Sequence, residues 1–143
     1  MDYRELAQEL VQMRADMQQL QFNREISKSI KGEAFVLYYL MQHERTAYPK
    51  VLSQQMHVST ARIATILNHL ESKQLIVRMT DPADSRQVIV TLTDTGAEEI
   101  RRQREKMLGL VVHMLELLGE EDAQAYVRIQ KKILHMFLTQ QET

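Results

Sequence analysis

The chain has 143 residues, of which 44% are hydrophobic and 26% charged, and its formal net charge is −1. That is the length of one domain with enough apolar content for a core, and only 4 Gly and 2 Pro predict a mainly helical chain. Cysteine is absent, which excludes disulfides, thiolate zinc sites, a cysteine nucleophile and thiol redox sensing, and fits the cytoplasmic location expected here.

The first twenty residues carry charges throughout and have no apolar h-region, so no secretory signal is expected. No apolar run reaches the roughly 18 residues of a membrane span. Leu6, Leu10, Met13, Met17 and Leu20 fall on one helical face, which predicts a helix over 2–26. That seam suits either burial against the rest of the chain or a helix of a second subunit. Gly32 breaks the pattern, and a short helix over 33–43 carries Phe35, Tyr38, Tyr39 and Met41. Pro49 fits a helix's first turn, predicting a helix over 49–56 that buries Leu52 and Met56.

Ser59 is a good N-cap for the next helix, which runs to about Lys73. Ile63, Ile66, Leu67 and Leu70 form its core side. Thr60, Arg62, Thr65 and His69 form its polar side. Only His57 and Val58 separate it from the preceding helix, so the pair reads as a helix-turn-helix. Ile76–Thr80 and Gln87–Thr91 are rich in β-branched residues and predict two strands around a turn-rich Asp81-Pro82-Ala83-Asp84-Ser85-Arg86 loop. Helix, turn, helix and hairpin is the winged-helix order. Thr93 caps a helix expected to reach Leu118, roughly 38 Å long. Gly119 interrupts the chain, and Glu120, Glu121 and Asp122 suit the N-terminus of a last helix. That helix is expected to bury Tyr126, Ile129, Ile133 and Met136.

The middle module points to duplex DNA. Residues 50–90 are mildly basic, with Lys50, Arg62, Lys73, Arg78 and Arg86 against three acids, whereas the rest of the chain is acidic. Ser59, Thr60 and Thr65 offer short hydrogen-bonding side chains to a major groove, and Arg62 has the fork that reads guanine. His69 lies near a phosphate or in solvent. Arg86, just past the loop tip, has the reach for a minor groove, with Asp84 placed to hold its guanidinium. The competing class is a winged-helix module that binds another protein and no DNA. Enzyme signatures are missing: there is no Gly-rich phosphate loop, no HExxH and no GxSxG, so no catalytic activity is expected. The five histidines, His43, His57, His69, His113 and His135, show no tight metal spacing, and neither a metal nor a cofactor is expected.

Residues 52–96 resemble the MarR family of bacterial transcription regulators. The resemblance rests on Asp81-Pro82-x-Asp84-x-Arg86 and Leu92-Thr93-x-x-Gly96, on Leu118-Gly119-Glu120-Glu121-Asp122 before the last helix, and on the element order along nearly the whole chain. It implies one domain over 1–143. Segments 1–31 and 119–143 would be dimerisation helices, 33–92 the winged helix-turn-helix and 93–118 a long linking helix. It implies a homodimer, a repressor more readily than an activator, on a pseudo-palindromic operator. Ser59, Thr60, Arg62 and Thr65 would face the major groove, while Asp84 and Arg86 would belong to the wing. It also implies a pocket for a small aromatic or phenolic effector, for which Met13, Met17, Tyr38, Tyr39 and Met107 are the candidates, each equally readable as core.

The sequence departs from the family's pattern at four positions. Thr65 and Ser85 stand where many members carry a basic residue, which predicts a shallow salt dependence. His57 and Gln74 stand at turn positions often held by glycine. If those turns need a positive φ, His tolerates it better than Gln, and Gln74 is the expected point of strain.

Overall fold

The computed structural model describes residues 1–20, 24 and 32–141. They divide into two compact units, Met1–Met107 and Leu108–Thr143. The first helix, α1 (Tyr3–Gln18), is N-capped by Asp2, whose carboxylate accepts from the Arg4 amide at 2.8 Å. The part of the expected 2–26 helix beyond Leu20 lies outside the described residues, Arg24 apart. α1 buries none of its residues. Leu6, Leu10, Met13, Met17 and Leu20 are all 44–56% exposed. The seam is therefore exposed along its length in the single chain.

The winged-helix core follows. It comprises α2 (Glu33–Gln42), β1 (Thr46–Ala47), α3 (Pro49–Met56), α4 (Thr60–Ser72), β2 (Ile76–Thr80) and β3 (Val88–Leu92), closed by the start of α5 (Asp94–Leu118). One apolar cluster joins them: Val36, Leu37 and Leu40 of α2, Leu52 of α3, Ile63, Ile66, Leu67 and Leu70 of α4, Ile76, Val90 and Leu92 of the sheet, and Ala97 and Ile100 of α5. Each fully buried Leu or Ile here contributes about 1.5–3 kcal/mol. On α2 the buried set is Ala34, Val36, Leu37 and Leu40; Phe35, Tyr38, Tyr39 and Met41 are partly buried, the last three against the cluster. Met56 is likewise only half-buried.

The sheet has three strands in the order β1-β3-β2, all antiparallel, where two were expected. The two-residue β1 is too short for any alternation to show. It enters through Glu44 and Arg45, both left-handed at φ 57° and 64°, and the Arg45 carbonyl accepts from the Leu92 amide at 2.8 Å. β2 and β3 pair with Ile76 opposite Leu92 and Thr80 opposite Val88. The second hairpin strand starts at Val88, one residue later than expected, because Gln87 closes the loop by accepting from the Asp81 amide at 2.9 Å.

Both glycine-like turns are real. α3 ends with His57 at φ 53° and α4 with Gln74 just beyond it at φ 61°. Each closes the same double bond pattern: Val58 donates to Ser53 O and His57 to Gln54 O; Leu75 donates to Leu70 O and Gln74 to Glu71 O. That is the Schellman end, which normally takes glycine at the left-handed position. The Leu92-Thr93-x-x-Gly96 motif also has a mechanical reason. Thr93 Oγ1 accepts from the Gly96 amide at 3.0 Å and donates to Gln74 O at 2.7 Å, so one hydroxyl caps α5 and pins the α4–β2 turn. A Cβ on Gly96 would lie 2.0 Å from Leu75 O and 2.7 Å from Leu92 Cδ1, so only glycine lets α5 approach this closely.

In the second unit, Gly119 (φ 83°) precedes α6 (Glu120–Gln140), whose first turn carries Glu120, Glu121 and Asp122 as expected. The expected burial of Tyr126, Ile129, Ile133 and Met136 does not occur. They are 40–52% exposed and α6 buries no residue. A long amphipathic helix shows an apolar face whether its cover comes from its own chain or another, so periodicity did not distinguish the two. No helix among the described residues is long and apolar enough to cross a membrane.

Candidate nucleic-acid interface

α4 begins where Ser59, in extended geometry, accepts from the Arg62 amide through Oγ at 3.1 Å. Ser59 thus serves as the cap, and its oxygen is partly committed to the backbone. With Ile63, Ile66, Leu67 and Leu70 buried, the helix turns Thr60, Ala61, Arg62, Ala64, Thr65, Asn68 and His69 to the exposed side. Thr65 Oγ1 donates back to Ala61 O at 3.2 Å, which leaves its lone pairs as the outward-facing function. Arg62 has no ion pair among the described residues. His69 Nδ1 lies 3.5 Å from Glu33 Oε1, and Lys73 Nζ donates to Glu33 Oε2 at 2.8 Å. His69 therefore sits at the α2 edge of the exposed face, beside a carboxylate.

The hairpin loop brings the other predicted pair together. Arg86 donates to Asp84 Oδ1 from its backbone amide at 3.1 Å and from Nε at 3.2 Å. Gln87 Nε2 reaches Asp84 Oδ2 at 3.4 Å. The Arg86 backbone and then its guanidinium hold the Asp84 carboxyl below its ordinary range. Arg86 stays 89% exposed while Asp84 is 30% exposed, so the carboxylate fixes the base of the side chain and leaves its end outward.

Three residues of this surface were not singled out from sequence as site residues. Asn68 lies on the exposed face of α4, and its Oδ1 accepts from Arg78 Nη2 at 2.8 Å. Arg78, on β2, also grips Glu71 through Nε at 3.1 Å and through its amide at 3.1 Å. Those bonds hold the Glu71 carboxyl below its ordinary range. Lys50 occupies the first turn of α3, exposed and without an ion pair among the described residues. A cation there opposes the helix dipole, and that misfit was the available signal for an anionic partner. A groove of about 570 Å³ runs between α3, α4 and the hairpin, lined by Pro49, Lys50, Thr60, Ala64, Arg78 and Val88 among others. A second, of about 460 Å³, lies on the other flank of α4 and includes Phe35, Met56 and Arg62.

The five residues named for an effector pocket line neither groove. Met13 and Met17 are exposed on α1. Tyr38 stacks under the Arg104 guanidinium, 3.9 Å from its ring centroid. Tyr39 stacks on His43 with ring centroids 3.8 Å apart. Met107 is partly buried on α5. No cluster of three or more His, Asp or Glu side chains suited to a metal occurs among the described residues.

Comparison with known proteins agrees with this architecture. Residues 22–103, more than half of the chain, match the family model of the transcriptional regulator SarA/Rot. The chain is 25% identical over 105 residues to the uncharacterized HTH-type transcriptional regulator YdgJ of Bacillus subtilis, covering 73% of this chain but 64% of that relative's length. Among solved structures it resembles the YusO protein of B. subtilis, with a TM-score of 0.76 at 21% identity over 94% of this chain and 99% of that one. It also resembles a mutant MepR of S. aureus, solved bound to an oligodeoxyribonucleotide, with a TM-score of 0.63 at 18% identity over 92% and 97% of the two chains. Helix-turn-helix, paired wing residues and family match agree: the chain belongs to the SarA/Rot transcriptional regulators, and its fold is the winged helix of MarR-like structures.

Proposed function

We propose that this regulator works as a homodimer on a pseudo-palindromic duplex, with α4 in the major groove, the β2–β3 wing in the adjacent minor groove, and repression as the outcome. The observation that carries the reading is the pairing of two exposed elements. α4 offers Thr60, Arg62, Thr65, Asn68 and His69, with Ser59 at its cap. The wing offers an Arg86 whose base is held by Asp84 and whose end is free. The fold shared with the oligonucleotide-bound MepR mutant supports the same use. For the dimer, segments 1–31 and 119–143 would supply the helices whose apolar faces α1 and α6 leave uncovered. Residues 33–92 would form the reading head, and 93–118 the link between them.

A small aromatic or phenolic effector would release the DNA, bound near Met13, Met17, Tyr38, Tyr39 and Met107. Arg104 over Tyr38 marks the point where such a ligand would compete with a packed contact. The cationic complement is thin, because Arg78 and Lys73 are already paired. With Lys50, Arg62 and Arg86 as the main phosphate and groove contacts, the salt slope should be shallow, about −0.9 per neutralised phosphate.

Selection of bound duplexes from a random library with the purified protein tests this. Enrichment of a roughly palindromic site with half-sites about one helical turn apart is expected. A folded, dimeric protein that enriches nothing would favour the protein-interaction module instead.

A further inference from the structure

The wing loop is attached to the helix-turn-helix at one residue with an unusual environment. Asp81, the first residue after β2, is only 4% exposed. Three of its bonds organise the loop itself. Its Oδ1 accepts from the Ala83 amide at 2.9 Å, its amide donates to Gln87 O at 2.9 Å, and its carbonyl accepts from the Asp84 amide at 3.2 Å. The fourth leaves the loop: Tyr48 donates its hydroxyl to Asp81 Oδ2 at 2.5 Å. Tyr48 is the N-cap residue of α3, extended at φ −80° and ψ 144° ahead of Pro49, so its backbone is fixed by the proline and by the helix it starts. A tyrosine hydroxyl keeps its proton at neutral pH, and donation to the Asp81 carboxylate pushes its pKa higher still.

Only two residues, Pro82 and Ala83, separate Asp81 from Asp84, and the loop's own bonds make that stretch a single turn. A shift at Asp81 is therefore carried to the Asp84–Arg86 pair. We propose that Tyr48 is a positioning residue: its hydrogen bond to Asp81 sets the height of the Asp84–Arg86 turn relative to α4, so that both elements meet one duplex together. The inference rests on the nucleic-acid reading above and adds a residue that touches no DNA. It also explains why a carboxylate is buried at the root of the wing. Oδ1 serves the loop and Oδ2 serves α3, and a tyrosine in α3's cap is long enough to reach it.

Tyr48→Phe removes one oxygen and keeps the ring. On the free protein, amide exchange at Ala83–Gln87 is expected to rise about tenfold, the scale of one charge-assisted hydrogen bond, with α4 unchanged and the thermal midpoint lowered by a few degrees. On a selected operator, Arg86→Ala is expected to weaken binding much less in the Tyr48→Phe background than in the parent protein, because Arg86 is already displaced. Asp81→Asn, whose amide can still bond the Tyr48 oxygen with the donor reversed, is expected to keep most of the wing's protection. Unchanged exchange at 83–87 in Tyr48→Phe overturns the proposal, as does an equal Arg86→Ala loss in both backgrounds. A parent protein that binds no duplex overturns the nucleic-acid reading instead, while the exchange measurement still decides the Tyr48 contact.

Discussion

At the scale of residues, the surface is defined by which polar groups are already engaged. Asn68 illustrates this. A guanidinium has no acceptor, so the Asn68 amide must turn its oxygen to Arg78 and its two N–H donors outward. Outward donors suit guanine O6 and N7, a preference not readable from Asn68 alone. Arg86 is the reverse case, with its base fixed and its end open. Replacing it with alanine is expected to weaken operator binding about tenfold or more and to flatten the salt slope by about one unit, read by fluorescence anisotropy across a salt series. Acid should loosen the same surface. Arg86 lowers the Asp84 pKa and Arg78 lowers that of Glu71. A carboxylate with a folded-state pKa below its unfolded value stabilises the fold above the unfolded value and loses that contribution as pH falls through the folded one. Thermal midpoints should therefore be flat above about pH 5 and fall below about pH 4, with a smaller acid-side fall in Glu71→Gln.

At the scale of elements, α4 is held by its ends as much as by its buried face. Ser59 caps the start and the Gln74 turn closes the finish, where Thr93 reaches across to hold it. Glutamine at a left-handed φ carries strain of about 1 kcal/mol that glycine would not. Gln74→Gly is expected to raise the thermal midpoint by a few degrees, and Gly96→Ala to lower it by more, since the added methyl meets a backbone carbonyl that cannot move aside. Paired melts of the two variants check both signs. The α4 core positions and the Ser59 cap were legible because each is a local rule about residue type and spacing, whereas the turns at His57 and Gln74 were flagged only by the family resemblance and the backbone alone shows their positive φ. β1 was not, because its two residues pair with Thr91 and Val90, far away in sequence. Nor was the left-handed pair Glu44–Arg45, since neither side chain advertises that geometry.

At the scale of the whole molecule, two long helices leave their apolar faces in solvent. α1 and α6 together expose Leu6, Leu10, Tyr126, Ile129, Ile133 and Phe137, each at least 40% accessible. The apolar face of α6, like that of α1, is the kind of surface a partner covers, which is the part the proposed homodimer would give it. The parent protein is expected to sediment as a dimer. Ile133→Glu, which would force a charge into that face, is expected to sediment as a monomer, since burying an unpaired carboxylate costs several kcal/mol. A protein that sediments as a monomer throughout the micromolar range would remove the homodimer from the proposed function.

By itself the sequence determined the order of the helices and the hairpin, the α4 core set, the Ser59 cap and the wing pair Asp84–Arg86. These follow from periodicity, capping and local backbone rules, which act over a few residues. Tertiary structure alone decided the third strand, the Asn68–Arg78–Glu71 network, the burial of Asp81 and its bond to Tyr48, and the exposure of the last helix. Those depend on groups far apart in the chain meeting at specific distances. An alternating or amphipathic pattern states that a face must be covered, but only packing states by what.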